Sequence, residues 1–165
     1  MRRVAFGLGA NLGDRVAALQ GAVDHLAPHL VGAVVSSVYE TAPVGGPEQP
    51  DYANAVLVGE SGASPVELLA LAHQAEESWA RTREVHWGPR TLDVDLLVVG
   101  DVSAVHPGLT LPHPRAAVRA FVLVPWVEAD ADAVIPGTGR VADLVATVTG
   151  DVRRRTDVAL HVAGR

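Results

Sequence analysis

Val4, Phe6 and Leu8 alternate with smaller residues at the period of two expected of a half-buried strand, and the chain then enters a glycine-rich stretch over 7–13 that reads as a turn. The period lengthens after it. Val16, Leu19, Val23 and Leu26 recur at helical spacing behind Asp14, a suitable N-cap, and Pro28 and Gly32 close that helix. Residues 34–39, rich in β-branched side chains, read as a second strand and 55–60 as a third, with a long polar loop over 40–54 between them. Ser64-Pro65-Val66-Glu67 combines a capping box with proline at the first helical position, and Leu68, Leu69, Ala72, Ala75 and Trp79 give the helix that follows a buried face. An irregular stretch over 81–90 leads into a fourth strand over 92–99. Strand, helix, strand, strand, helix, strand is the split βαβ order of an α+β, ferredoxin-like αβ sandwich, an antiparallel sheet with helices packed on one face.

Beyond Gly100 the pattern is less regular. Residues 109–111 read as a strand end before a turn, 117–124 as a short helix ended by Pro125, 141–148 as a late helix and 158–162 as a last strand. One domain over 1–165 accounts for the whole pattern, with its motifs inside the first 130 residues.

Composition narrows the chemistry. All 13 basic side chains are arginine, and there is no cysteine. Without lysine neither a Walker-type phosphate loop nor Schiff-base chemistry can operate, and without cysteine there is no thiol nucleophile, disulfide or thiolate-held metal. Phosphate, if handled, must be held by arginine, metal ions or backbone amides. Hydrophobic residues at 48% against 19% charged are enough for a core. No apolar run reaches the roughly 20 residues of a membrane helix, and Met1-Arg2-Arg3-Val4 does not open a signal peptide, so a cytoplasmic chain with no membrane contact is expected. A net charge of -6 argues against nucleic acid as a partner.

The candidate chemistry centres on 87–95, Trp87-Gly88-Pro89-Arg90-Thr91-Leu92-Asp93-Val94-Asp95. Residues two apart on a strand share a face, so Asp93 and Asp95 aim their carboxylates together. Mg²⁺ relieves the repulsion of such a pair; the alternative is one exposed aspartate and one salt-bridged to an arginine. Arg81, Arg83 and Arg90 nearby favour the metal, because guanidinium forks match phosphate oxygens. Glu76, on the second helix, either holds an arginine or accepts from a ribose hydroxyl, or is simply an exposed helix acid. Tyr52 with Asn54, and Phe121 near Arg119, offer stacking faces and an amide edge for a planar heteroaromatic ring, although a lone aromatic is more often core. His113 between prolines is held in extended backbone where it can donate to phosphate. His25, His29 and His73 read as ordinary surface or boundary residues, and the run Arg153-Arg154-Arg155 as a solvated turn rather than a ligand patch.

With these residues in view, the chain resembles the 6-hydroxymethyl-7,8-dihydropterin pyrophosphokinases of folate biosynthesis. The likeness rests on four ordered segments: Gly9-Ala10-Asn11-Leu12; Tyr39-Glu40-Thr41 through Gln49 to Asn54; Arg81 through Trp87 to Asp95; and Leu111-Pro112-His113-Pro114-Arg115 with Arg119-Ala120-Phe121. It implies transfer of the terminal two phosphates of ATP to the hydroxymethyl oxygen of a reduced pterin, leaving AMP. By position, Asp93 and Asp95 would ligate two Mg²⁺ ions. Thr41, Pro43, Val44, Tyr52, Asn54, Asp95 and Phe121 would form the pterin site, with Tyr52 and Phe121 sandwiching the ring. Gln74, Glu76, Arg83, Trp87, Arg90, Thr110, His113 and Arg119 would form the ATP side, and Arg81, Arg90 and Asp95 would act in catalysis. No separate general base is evident, which leaves Asp95 or water to take the hydroxyl proton. The chain departs from the family at Ala10, usually serine, at His86, often a more basic residue, and in a loop over 83–87 one residue shorter than in some members.

Two other readings share the fold or the chemistry. A non-catalytic ferredoxin-like module would bind a small ligand without consuming ATP, and its RNA-binding form expects a basic face and strand aromatics that are scarce here. A different Mg²⁺-dependent phosphotransferase would use the same arginine and metal set with another acceptor. The expected partners are ATP and a pterin only, bound by a monomer.

Overall fold

The computed structural model describes residues 1–42, 51–82 and 92–164. Among them the elements run β1 (Arg2–Ala10), α1 (Arg15–Leu26), β2 (Val31–Val35), β3 (Tyr39–Thr41), β4 (Tyr52–Ser61), α2 (Pro65–Thr82), β5 (Asp93–Val99), β6 (Ala104–His106), β7 (Leu109–Leu111), α3 (Ala120–Ala129), β8 (Val134–Ile135), β9 (Gly139–Arg140), α4 (Val141–Val145) and β10 (Val152–Arg154). The main sheet has the order β10-β3-β4-β1-β5, with β2 also on β4, and every pair is antiparallel. Its inner order, β3-β4-β1-β5, is that of the ferredoxin-like fold.

Local sequence sets the helix starts. The Asp14 carboxylate accepts the Ala17 N–H at 3.0 Å. At α2 the Ser64 hydroxyl accepts the Glu67 N–H at 3.2 Å while the Glu67 carboxylate accepts the Ser64 N–H at 3.1 Å, the reciprocal capping box that the sequence predicts. The Glu67 carboxyl is held below its usual range by those bonds to Ser64.

Alternate residues of the central strands then build two cores. Phe6 and Leu8 of β1, Leu57 of β4 and Val94 and Leu96 of β5 face Leu19, Leu26 and Leu68 of α1 and α2. Ala5, Val58, Leu97 and Val98 face the other way, onto Val122, Leu123 and Trp126 of α3 and onto Ile135 and Val141. A bulge makes this possible: Ala5 pairs with Val98 but Phe6 with Leu96, so Leu97 has no partner on β1 and turns with Val98 toward α3. Each large side chain buried here is worth about 1.5–3 kcal/mol, enough for α3 to hold a second layer on the sheet.

Several expectations change. Helices do not lie on one face alone, because α3 and α4 pack on part of the opposite face. The expected second strand is two, β2 and β3, because the Ser36 hydroxyl accepts the Val56 N–H at 2.9 Å where a ladder would use backbone. The first strand continues through Gly7 and Gly9 to Ala10 rather than turning, and β4 starts early, at Tyr52. The short helix begins and ends later than expected, running through Pro125, whose buried ring sits beside fully buried Trp126; packing here outweighs the lost N–H bond. The late helix is shorter, and no strand covers 158–162. The strand of the tail is instead β10, which carries Arg153 and Arg154 in place of the expected turn.

Candidate active site

The part of the second face that α3 leaves open holds a cavity of about 620 Å³. Its floor follows from the strand period. Gly9 pairs with Asn54 on one side and Asp93 on the other, and Gly7 pairs with Val56 and Asp95. All of these residues line the cavity. Because the central strand carries no side chain at Gly7 and Gly9, a trough runs along β1 between an amide wall on β4 and a carboxylate wall on β5.

On the amide wall, Asn54 is buried and its Nδ2 donates to the Thr41 hydroxyl at 3.1 Å, which fixes the amide orientation and ties β4 to β3. Tyr52 lies one position further along the same face. On the carboxylate wall, Asp93 is exposed, Val94 buried and Asp95 half-buried, so the predicted alternation holds. Glu76 supports this edge strand from α2: its Oε2 accepts the Val94 N–H at 2.9 Å, between the two aspartates. Bracing β5 is thus one duty of Glu76 that the sequence reading did not foresee.

His113 approaches Asp95 from outside β5. Its backbone N–H donates to the Leu97 carbonyl at 2.8 Å, after a cis Leu111–Pro112 bond, and this docks the turn on the strand edge. The ring Nδ1 accepts the Arg115 N–H at 3.2 Å, which assigns the proton of the neutral ring to Nε2, 3.9 Å from Asp95 Oδ2. Burial pushes His113 below the ordinary imidazole value; the Asp95 carboxylate pulls it up, and Arg119 and Arg115 push it further down. A neutral donor facing a carboxylate is the result.

The start of α3 supplies the opposite rim. Arg119 and Phe121 both line the cavity, and the Arg119 guanidinium carbon lies 5.5 Å from the centroid of the Phe121 ring, within cation–π range. The last wall, Thr149 to Val152, comes from the turn into β10.

Of the predicted residues, Thr41, Tyr52, Asn54, Asp93, Asp95, Arg119 and Phe121 therefore meet in one cavity, with His113 joined to it through Asp95. Gln74 is exposed on α2 and Thr110 half-buried on β7, and neither is among the lining residues. Arg81, in the last turn of α2, is exposed and pairs with Glu77 at 3.4 Å. Pro43, Val44, Arg83, Trp87 and Arg90 lie outside the described residues, as does His86. Sequence reasoning missed Gly7 and Gly9 as a floor, because glycines at this spacing suit a turn as well as a strand, and missed Thr149 to Val152, for which no local sign exists.

No group of three or more histidine, aspartate or glutamate side chains able to hold a metal stands among the described residues. Two carboxylates facing an open trough nevertheless suit Mg²⁺, which is usually held by one or two carboxylates and completes its shell with water and substrate phosphate.

Comparison with known proteins gives a consistent picture. The model of the family described as 7,8-dihydro-6-hydroxymethylpterin-pyrophosphokinase matches residues 5–131. A 2-amino-4-hydroxy-6-hydroxymethyldihydropteridine pyrophosphokinase of Mycobacterium leprae is 44% identical over 151 residues, covering 85% of this chain and 78% of the relative. The protein of the same name in Bacillus subtilis is 43% identical over 131 residues, 78% of each chain. Among solved structures, an HPPK-DHPS chain of Plasmodium falciparum superposes with a TM-score of 0.70 at 13% identity, over 88% of this chain. This chain spans 45% of that longer one, and the likeness concerns the fold.

Proposed function

The chain belongs to the 7,8-dihydro-6-hydroxymethylpterin-pyrophosphokinase family, and from that premise we propose how its cavity carries the family's reaction. The enzyme transfers the terminal two phosphates of ATP to the hydroxymethyl oxygen of 6-hydroxymethyl-7,8-dihydropterin, giving the pterin diphosphate and AMP, a step of folate biosynthesis. The observation that carries the assignment of the site is the shared trough, which sets a ring-reading wall and a carboxylate pair on either side of two glycines.

The pterin ring lies against the Asn54 wall. Tyr52 and Phe121 stack on its faces, while the Asn54 amide, already committed to Thr41 through one N–H, uses its remaining groups on the ring edge. The hydroxymethyl arm then points across the trough toward Asp93 and Asp95. These two carboxylates would hold two Mg²⁺ ions, which when bound neutralise charge on the ATP phosphates. Arg119 and neutral His113 donate to phosphate oxygens from the α3 side and from the turn before it, with Arg83 and Arg90 completing the arginine set that replaces lysine.

In the step itself, the hydroxymethyl oxygen attacks the β-phosphorus in line. The bond from that phosphorus to the oxygen bridging the α-phosphate breaks, and AMP leaves with the electron pair. The hydroxyl proton departs to Asp95, which is half-exposed and passes it to solvent. The enzyme acts as a cytoplasmic monomer.

The direct test is to incubate the full chain with ATP, Mg²⁺ and the reduced hydroxymethylpterin and to separate the nucleotides. AMP in equal amount with pterin diphosphate is expected. ADP instead would mean transfer of a single phosphoryl group, and a folded sample yielding neither product would favour a binding module.

A further inference from the structure

We infer that the carboxy-terminal strand is a working wall of the pterin side and that Arg153 is a positioning residue for Tyr52, an inference that rests on the pterin site proposed above. The family match ends at residue 131, well before this segment. Yet β10 closes the sheet beyond β3, with Val152 opposite Thr41, so it is the outer neighbour of the strand that orients Asn54. The turn leading into it packs directly on α3: a Cβ placed on Gly150 would stand 3.2 Å from the Ala120 Cβ, tighter than ordinary contact. The tail wall and the Phe121 rim are therefore set against each other with no room to spare.

Arg153 acts one step further from the ring. Its guanidinium hydrogen-bonds the Asp51 carboxylate. Arg15 holds the Asp51 carbonyl at 2.6 Å and, with its other nitrogen, Glu40 at 2.9 Å. Asp51 is thus gripped through both its side chain and its backbone at the residue immediately before Tyr52. Arg155 repeats the pattern on β3, bonding Glu40 at 3.2 Å while its backbone N–H donates to the Val38 carbonyl at 2.8 Å. Of these pairs Arg153–Asp51 is the solvent-exposed one, and an exposed ion pair contributes little to global stability. Its consequence is geometric, because a stacking ring displaced by a fraction of an ångström loses binding out of proportion to any loss of folding free energy.

The experiment compares Arg153→Ala, Asp51→Ala and the double variant in the full chain, measuring KM separately for pterin and ATP, kcat, and the melting temperature. KM for pterin should rise about threefold to tenfold while KM for ATP stays within about twofold. The double variant should match either single change, because both remove one interaction. Arg153→Lys, which keeps the charge, should recover part of the loss. An unchanged KM for pterin, or an equal rise for both substrates, overturns the inference. Asn54→Ala is run in parallel: if it raises KM for pterin and Arg153→Ala does not, the inference alone fails, whereas if Asn54→Ala also has no effect the pterin site itself is misplaced.

Discussion

Replacing Gly9 by alanine should separate folding from function. Gly9 lies in extended backbone in the middle of the sheet, and a Cβ there meets only Asn54 Oδ1, at 3.5 Å, an ordinary contact. The fold therefore accepts the methyl group, and the unfolded chain loses freedom, so Gly9→Ala should stabilise by about 0.4–1 kcal/mol. For a domain of this size that corresponds to a rise of roughly 1–4 °C in melting temperature. The methyl stands in the trough between Asn54 and Asp93, however, where the ring and its arm must lie. Overfilling a fitted space costs about 1–3 kcal/mol, which lowers pterin affinity by roughly 5-fold to 150-fold. Gly59→Ala is the natural contrast. Its Cβ would stand 2.9 Å from the Leu30 Cβ and 3.2 Å from the Val31 carbonyl oxygen, so it should destabilise by about 1–3 kcal/mol and leave binding intact. Thermal denaturation followed by circular dichroism, together with calorimetric titration of pterin in the presence of an unreactive ATP analogue, reads both quantities. If Gly9→Ala binds pterin as tightly as the parent chain, or melts as early as Gly59→Ala, the open floor is not what the glycine provides.

Asp95→Asn should lower kcat at least about 100-fold with an unchanged melting curve, and near-normal turnover would remove Asp95 from the metal and proton roles. Glu76→Gln keeps an acceptor for the Val94 N–H but loses its charge, at a cost of about 1 kcal/mol, whereas Glu76→Ala loses the acceptor outright; amide exchange at Val94 should quicken in that order, and equal protection in all three proteins would contradict the brace. Tyr39 gives a pH test. Burial first, and then its hydrogen bond to Glu128, push the phenol from 10.0 up to about 12. Its contribution is complete below pH 10 and falls away between pH 10 and about 12, where the unfolded chain has released the proton and the folded one has not. Urea titrations across that range should show stability declining more steeply in the parent than in Tyr39→Phe, and parallel slopes would refute the assignment.

What could be read from the sequence is what local spacing decides. Asp93 and Asp95 share a wall because a strand has a period of two, and the α2 capping box forms because Ser64 and Glu67 stand three residues apart; neither depends on a distant partner. The floor of the site is different in kind. Gly7 and Gly9 carry the same local signal whether they turn a chain or run through a sheet, and only their neighbours across β4 and β5, Asn54 and Asp93, make them a trough. The run Arg153-Arg154-Arg155 reads as a solvated turn for the same reason. An arginine run is polar wherever it lies, and it becomes a strand here because Val152 meets Thr41 and because Arg153 meets Asp51, 102 residues away in the chain. Pro125 failed as a helix stop because the contacts that keep it helical come from Trp126 seated on the sheet. The chemistry is thus carried by short-range patterns and can be recognised from them, while the shape that makes room for the substrate is set by pairings between segments that no window along the chain contains. A substitution such as Gly9→Ala, silent by every local rule, is for that reason where the function is most exposed.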